Sequence, residues 1–179
     1  SVEIDFFSEE WEQTAQIVIE NACRSAILNG IPKKSTSELI GKFCAVIFSP
    51  EHIALVREGP SFRRDFIDSA LCQLKPGYAA LLSRYNHTLI QRNALLKDIP
   101  RHSELMDTLE IWDEKLSKYG EAIVAGRINY IEMIKEPATT VYAGICENRE
   151  KMDLFYQKST GDLKQALHDS RRDDINSGH

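Results

Sequence analysis

The fold is decided by the stretch 78–100, YAALLSRYNHTLIQRNALLKDIP, and by the segment 101–133 that follows it. In both, mostly large side chains recur in alternating steps of four and three, which is the spacing of one coiled-coil face of a helix. Two such helices joined by a short polar link at 100–103 predict an antiparallel hairpin over residues 77–135, with arms of about 35–45 Å. The hairpin is predicted to protrude, and an ordinary pair of core-packed helices in a bundle is the alternative. The positions are Tyr78, Leu82, Tyr85, Leu89, Arg92, Leu96 and Ile99, then Leu105, Leu109, Trp112, Leu116, Tyr119, Ile123, Gly126, Tyr130 and Met133.

Upstream of the hairpin, residues 1–34 have the pattern of a small β region. Apolar and polar side chains alternate there, as in Val2, Ile4 and Phe6, and a period of two predicts half-buried strands. Asn29-Gly30 predicts a tight hairpin turn, because both residues tolerate a positive φ. The sequence at 35–38, STSE, then predicts a capped short helix that ends at Gly41.

Two more segments predict strands, and together they suggest the domain organisation. Residues 43–48, FCAVIF, form a continuous apolar run that predicts a strand buried on both faces. Residues 151–158 alternate again and predict a late strand, which would pair with the N-terminal ones. The predicted class is α+β, mostly helical: a small antiparallel β lobe of residues 1–48 and 151–179, with an inserted helical arm of residues 49–150. Helix is also predicted past Pro137 to about residue 148, with a kink or break at Pro137, and over 161–175.

Charge is unevenly distributed along the chain. The net charge is −5, yet residues 57–101 hold eight Lys or Arg and four Asp or Glu, a local charge of +4. Solvated helix faces explain such a region, and a surface that faces a polyanion is the alternative. The four cysteines are scattered without a CxxC pair, which is typical of a reduced cytosolic protein.

The sequence holds no self-sufficient active site. Gly41-Lys42 lacks both the upstream glycine loop and the hydroxyl residue of a phosphate-binding loop. The five histidines are spread too widely for a ligand cluster, and the RRDD cluster at 171–174 is predicted to be a solvated helix face. We therefore expect no catalytic residue, no bound cofactor and no metal within these residues.

The stretch 50–68, PEHIALVREGPSFRRDFID, predicts a joint between two helices at Gly59-Pro60. Arg63 and Arg64 fall in the first turn of the second helix, where the helix dipole disfavours cations. Pairing of Arg64 with Asp68 at i, i+4 would offset that cost. The residues thus predict an ion-paired helix start that locks the joint, or alternatively a guanidinium presented to a phosphate or a carboxylate.

This stretch resembles a signature of the RecF family of bacterial DNA-repair ATPases, and it departs from the family pattern at Glu58, where a Gly is usual. The resemblance extends to 28–32 and 37–41, to 83–86, 91–97 and 112–116 in the hairpin, and to 163–178, so that it covers nearly the whole chain and is weakest over 1–25. The matching residues of the signature are Pro50-Glu51, Leu55-Val56, Gly59-Pro60, Arg63-Arg64 and Phe66-Ile67-Asp68.

The resemblance implies a cytoplasmic ATPase with an ABC/SMC-type head that binds DNA at gaps and dimerises on ATP. Such a protein works with RecR and RecO to help load recombinase on single-stranded DNA. ATP and Mg²⁺ would be bound by motifs outside this chain, which would be an internal fragment comprising a lobe of the head and its arm. The fragment would contact RecR or the second RecF subunit, or else contact DNA directly. The candidate contact residues are Arg57, Arg63, Arg64, Arg84 and Arg92, with Gly59, Pro60 and Asp68 as the structural joint.

Overall fold

The computed structural model describes residues 1–8 and 11–178, and this part of the chain holds four strands and five α-helices. It divides into two compact units, Ser1–Ala79 and Ala80–His179. The chain is mostly helical with a small antiparallel sheet, which confirms the predicted α+β class. The elements are β1 (Val2–Ser8), β2 (Trp11–Glu20), β3 (Cys23–Leu28), β4 (Ile31–Lys33), α1 (Ala54–Arg57), α2 (Pro60–Leu74), α3 (Tyr78–Asp98), α4 (Met106–Ile145) and α5 (Leu163–Ser177).

The sheet of the first unit has the order β1-β2-β3-β4, with every neighbouring pair antiparallel. The predicted turn is confirmed: Asn29 and Gly30 have φ values of 52° and 75°, and Leu28 pairs with Ile31 on either side of them. The side chain of Asn29 also accepts a hydrogen bond from the Thr14 amide at 3.0 Å, so this turn is tied to the neighbouring strand β2.

One face of the sheet holds the core of the first unit. Ala15, Ala26 and Leu28 are buried there beneath Leu39, which lies on a short 3-10 turn at Thr36–Leu39. This turn stands where the short capped helix was predicted, and Gly41 follows it with a φ of +77°. Phe43 completes the cover, with its ring 5.2 Å from the ring of Phe6.

The prediction of a strand over 43–48 is wrong. Beyond an isolated bridge between Ile40 and Phe43, residues 44–48 form no regular structure, and Val46 and Phe48 are 98% and 97% exposed. An apolar run shows that a segment suits burial, but a strand also needs a neighbour to pair its backbone. Among the described residues no strand lies beside this segment, and the Ala45 amide donates instead to the side chain of Gln73 at 2.7 Å.

The predicted helical hairpin is present in the second unit. Leu96 packs in one buried cluster with Leu109, and Arg92 contacts Asp113, so α3 and α4 run antiparallel. At 1.5 Å per residue, the 21 residues of α3 span about 30 Å, which is shorter than the predicted arm. The 40 residues of α4 span about 60 Å, because this helix includes the continuation predicted past Pro137. The helix continues past Pro137 as predicted, and it is not broken there.

Helix α5 packs against both helices of the hairpin. Its Arg171 contacts Asp113 of α4, and its Asp174 contacts Arg92 of α3. The second unit therefore contains a bundle of three helices, which is the alternative arrangement foreseen for the heptad segments. Asp162 caps the start of α5 by accepting from the Gln165 amide, and Gly178 ends it in the left-handed conformation.

The late strand predicted over 151–158 is also wrong. The segment keeps the alternation, with Met152, Leu154 and Tyr156 half-buried, but it forms no ladder with any strand in the described ranges. It packs instead on the C-terminal part of α4, where Asp153 forms an ion pair with Lys135 at 2.8 Å. The alternation correctly identified which side chains are half-buried, but these side chains pack on helix α4 and not within a sheet. The grouping of 151–179 with 1–48 in one lobe stays a prediction.

None of the helices in residues 1–8 and 11–178 is both long enough and apolar enough to cross a membrane.

Candidate functional site

The predicted joint between two helices is present at Gly59-Pro60. Helix α1 ends at Arg57, Glu58 and Gly59 are extended, and Pro60 opens α2 at the position where a missing N–H is harmless. Gly59 has φ −70°, which any residue adopts, and no atom lies within 4 Å of the place where a Cβ would stand. The local backbone therefore does not require a glycine at this position.

Arg63 holds the joint together through the backbone. Its Nη1 donates to the carbonyl of Leu55 at 3.0 Å and to the carbonyl of Glu58 at 3.1 Å. These acceptors lie at the C-terminal end of α1, where carbonyls lack helical partners and the dipole favours a cation. The guanidinium of Arg63 is thus a cap for α1 supplied from the first turn of α2.

Asp68 links α2 to the start of α3 within the first unit. It accepts a hydrogen bond from the Tyr78 hydroxyl at 2.7 Å, and Tyr78 is buried. On the other side of α2, the ring of Phe66 lies edge-on to His52 with the centroids 6.0 Å apart. The i, i+4 pair of Arg64 with Asp68 stays a prediction.

The candidate arginines are distributed over both units. Arg57, Arg63 and Arg64 lie in the first unit, at the end of α1 and in the first turn of α2, and all three are exposed. Arg84 is exposed on α3 in the second unit. The contact role proposed for these residues stays a prediction.

Arg92 differs from the other four because its side chain is only 3% exposed. Its Nε donates to Asp113 Oδ1 at 2.6 Å, and its Nη2 donates to Asp174 Oδ2 at 2.6 Å. Burial lowers the pKa of Arg92, but hydrogen bonds to the two carboxylates outweigh this effect and raise it. The guanidinium is therefore a charged group of the interior, whose donors face carboxylates rather than the surface.

Asp113 is the centre of this buried cluster. Its second oxygen, Oδ2, accepts from Arg171 at 2.8 Å and 3.2 Å, and Ser170 donates to Asp174 at 3.1 Å. The predicted solvated face at 171–174 is therefore only half right: Arg172 and Asp173 are exposed, whereas Arg171 and Asp174 are half-buried and paired. The i, i+3 spacing places those two on the face that packs against the hairpin.

The cluster was not predicted as a unit from the sequence. One signal for it was visible, since Arg92 is the charged residue among heptad positions that otherwise hold apolar or aromatic residues and Gly126. A charge at a seam position needs an opposite charge nearby. Asp113 and Asp174 supply the opposite charges. They lie 21 and 82 positions from Arg92 in sequence, so only the folded chain brings them close to it.

The second unit also carries an apolar groove on α4. The groove has a volume of about 500 Å³, and Val141 and Ile145 on its wall are 63% and 75% exposed. Tyr142, which lines the groove, donates a hydrogen bond to Glu150 at 2.5 Å. This bond lies where the chain turns back along α4 after the helix ends. The lining residues are Ile134, Pro137, Ala138, Val141, Tyr142, Ile145 and Met152.

Known proteins resemble this chain in both sequence and fold. The DNA replication and repair protein RecF of Agathobacter rectalis is 40% identical over 144 residues, which are 80% of this chain and 40% of that protein. The RecF protein of Acetivibrio thermocellus is 40% identical over 89% of this chain and 43% of its own length. That of Halothermothrix orenii is 43% identical over 75% of this chain and 36% of its own length. No family model matches the chain.

Solved structures give the same result. The recombination mediator RecF of the RecFOR pathway, solved as RecF-ATPrS, superposes with a TM-score of 0.85 at 34% identity, over 96% of this chain and 49% of that one. The RecF-ATP structure gives 0.83 at 34% identity, over 94% and 48%. Fold and sequence together define the class, an α+β segment similar to part of a recombination mediator of known structure. Within that class, the chain belongs to the RecF family. It spans about two fifths of the three curated relatives and about half of the solved chains.

Proposed function

We propose that this chain supplies partner or subunit contacts to a RecF-type ATPase of recombinational repair. The whole protein would act in the cytoplasm with RecR, RecO and a second RecF subunit, and would help to load recombinase at single-stranded gaps. ATP and Mg²⁺ would be bound by residues outside this chain. In this proposal residues 49–150 form an arm inserted into a lobe of residues 1–48 and 151–179. The identity to RecF proteins and the likeness to RecF of the RecFOR pathway support it.

The observation that carries the proposal is the apolar groove on α4. Val141 and Ile145 leave most of their side chains in water, and Tyr142, Met152 and Pro137 lie beside them. Contiguous exposed apolar surface is characteristic of protein-binding sites. A nucleic acid would be bound by cationic groups, and those are absent from the groove lining.

Binding of the chain to purified RecR, measured by calorimetry, tests the proposal. Val141→Asp places a charge inside the groove, and Thr140→Asp places the same charge on the neighbouring exposed position of α4. We expect Val141→Asp to weaken binding about tenfold or more, because burying an unpaired charge opposes association, and Thr140→Asp to leave it nearly unchanged. Equal affinities for the two variants, or no binding by the unaltered chain to RecR or to a second copy of itself, would refute the proposal.

Direct contact with DNA phosphates is the second candidate function. The exposed guanidinium groups of Arg57, Arg64 and Arg84 favour it, and residues 57–101 carry a local charge of +4. The internal bonds of Arg92 and the capping bonds of Arg63 reduce the number of arginines available for it. A titration of labelled gapped DNA at two ionic strengths tests this function, since phosphate contacts make affinity fall steeply with salt. No binding at low salt excludes it.

A further inference from the structure

The face of α5 that packs on the hairpin is polar in its middle. Leu163 and Leu167 are half-buried near one end and Ile175 near the other, while Arg171 and Asp174 lie between them. None of the described side chains of α5 is fully buried. An amphipathic helix is usually held by a continuous apolar stripe, and in α5 this stripe is interrupted by a pair of opposite charges.

These charges pair across the interface and not within α5. Arg171 reaches Asp113 of α4 at 2.8 Å, and Asp174 reaches Arg92 of α3 at 2.6 Å. The hairpin already pairs its own two charges, with Arg92 and Asp113 at 2.6 Å. The interface therefore joins two charge pairs, each of which has no net charge by itself.

This arrangement has a consequence for release of α5. Breaking a buried ion pair is strongly unfavourable when it leaves one charge without a partner. When α5 leaves as a unit, Arg92 keeps Asp113 on the hairpin, and Arg171 and Asp174 stay together on α5 at i, i+3 spacing. Neither surface is left with an uncompensated charge, so the hairpin tolerates the loss of α5.

The same charges permit only one register. A slide of α5 by about one turn in one direction would bring Asp174 to the place of Arg171, where two carboxylates would face each other. A slide in the other direction would bring Arg171 to the place of Ile175, which packs against the buried side chains of Leu96 and Leu109. Gly120 of α4 adds a steric condition, since a Cβ at this position would lie 2.5 Å from Leu163 Cδ2. Leu163 thus fits a site without a side chain, and it fits there only in this register.

We propose that α5 acts as a latch: it docks on the α3–α4 hairpin in one register and is released as a unit while the hairpin stays folded. The charge pairs Arg92/Asp113 and Arg171/Asp174 determine this register. The latch rests on the geometry of the second unit alone and is independent of the proposed partner contacts.

Hydrogen exchange of the whole chain, resolved by residue, tests the latch through a double-mutant cycle. Asp174→Asn and Arg171→Gln each leave one uncompensated charge, so each is expected to speed exchange of the α5 amides about tenfold. The double variant leaves the Arg92–Asp113 pair balanced, and its exchange is expected to be slower than that of either single variant. Hairpin amides should stay within about twofold in all three. Arg172→Gln and Asp173→Asn, at exposed positions of the same helix, are the matched controls and should change little.

Two results would overturn the proposal: the effects of the single variants multiply in the double variant, or the α5 and hairpin amides accelerate by the same factor. The unaltered chain gives a further test that does not depend on any variant. Its α5 amides should exchange faster than those of α4 between Leu109 and Ile123, and equal protection of the two would contradict a separately opening latch.

Discussion

Arg92 Nε donates to Asp113 Oδ1 at 2.6 Å across the α3–α4 hairpin, and the two side chains are 3% and 5% exposed. A charge placed in the seam of two helices lowers stability unless its partner is fixed, and a fixed partner selects one alignment of the helices. The contact therefore sets the register of the hairpin and prepares the surface on which α5 docks.

Arg92→Leu should lower the free energy of unfolding by about 3–5 kcal/mol, because it leaves two carboxylates with only Arg171 between them. Arg84→Leu, on the exposed face of the same helix, should change it by less than about 0.5 kcal/mol. Urea denaturation followed by circular dichroism measures both. A loss at position 92 as small as that at position 84 would show that the buried pair does not hold the bundle.

Gly120 and Gly144 offer a matched comparison within α4. A Cβ on Gly144 meets nothing within 4 Å, so Gly144→Ala should stabilise the chain by about 0.5–1 kcal/mol through helix propensity. A Cβ on Gly120 would lie 2.5 Å from Leu163 and 3.3 Å from Tyr85, so crowding of about 1–3 kcal/mol should cancel or exceed that gain. Thermal denaturation separates the two variants, and equal shifts in Tm would argue against close packing of α5 on Gly120.

The joint at Gly59-Pro60 should depend on Arg63 and not on Arg64. Arg63→Gln removes two hydrogen bonds to the carbonyls of Leu55 and Glu58, which is expected to destabilise the end of α1 by about 1 kcal/mol. Amide exchange in residues 54–58 should rise several-fold, whereas Arg64→Gln should leave it unchanged. The opposite order would mean that the predicted Arg64–Asp68 pair is the lock.

The docking of residues 151–158 on α4 should depend on pH. The hydrogen bond from Lys135 lowers the pKa of Asp153, and the same bond raises the pKa of Lys135. The ion pair therefore stabilises docking fully at pH values above the ordinary aspartate pKa, and this contribution is lost as pH falls through the lowered pKa of Asp153. At the alkaline end it is lost as pH rises through the raised pKa of Lys135. NMR titration of the Asp153 carboxyl should show a lowered midpoint, which Lys135→Met returns to the ordinary range; a midpoint that does not move would disprove the pair.

Local patterns in the sequence predicted most of the elements. Period-two alternation identified β1 and β2, Asn29-Gly30 identified the turn between β3 and β4, and the heptads identified both long helices, since these signals depend on residues close in sequence. The two wrong strands, 43–48 and 151–158, share one cause: alternation or an apolar run indicates a buried face without specifying what buries it. The charged cluster was missed for a related reason, because Arg92 meets Asp174 only after the chain has folded back twice.

Hydrogen exchange of the chain alone, with RecR, with excess chain and with gapped DNA tests the central claim most directly, namely that this segment contacts a protein through the groove on α4. We predict that RecR or a second copy of the chain slows exchange in 134–145 and 150–158, and that Val141→Asp abolishes this protection while Thr140→Asp preserves it. Protection by gapped DNA around Arg57 and Arg64, with residues 134–158 unchanged by either protein, would contradict the claim.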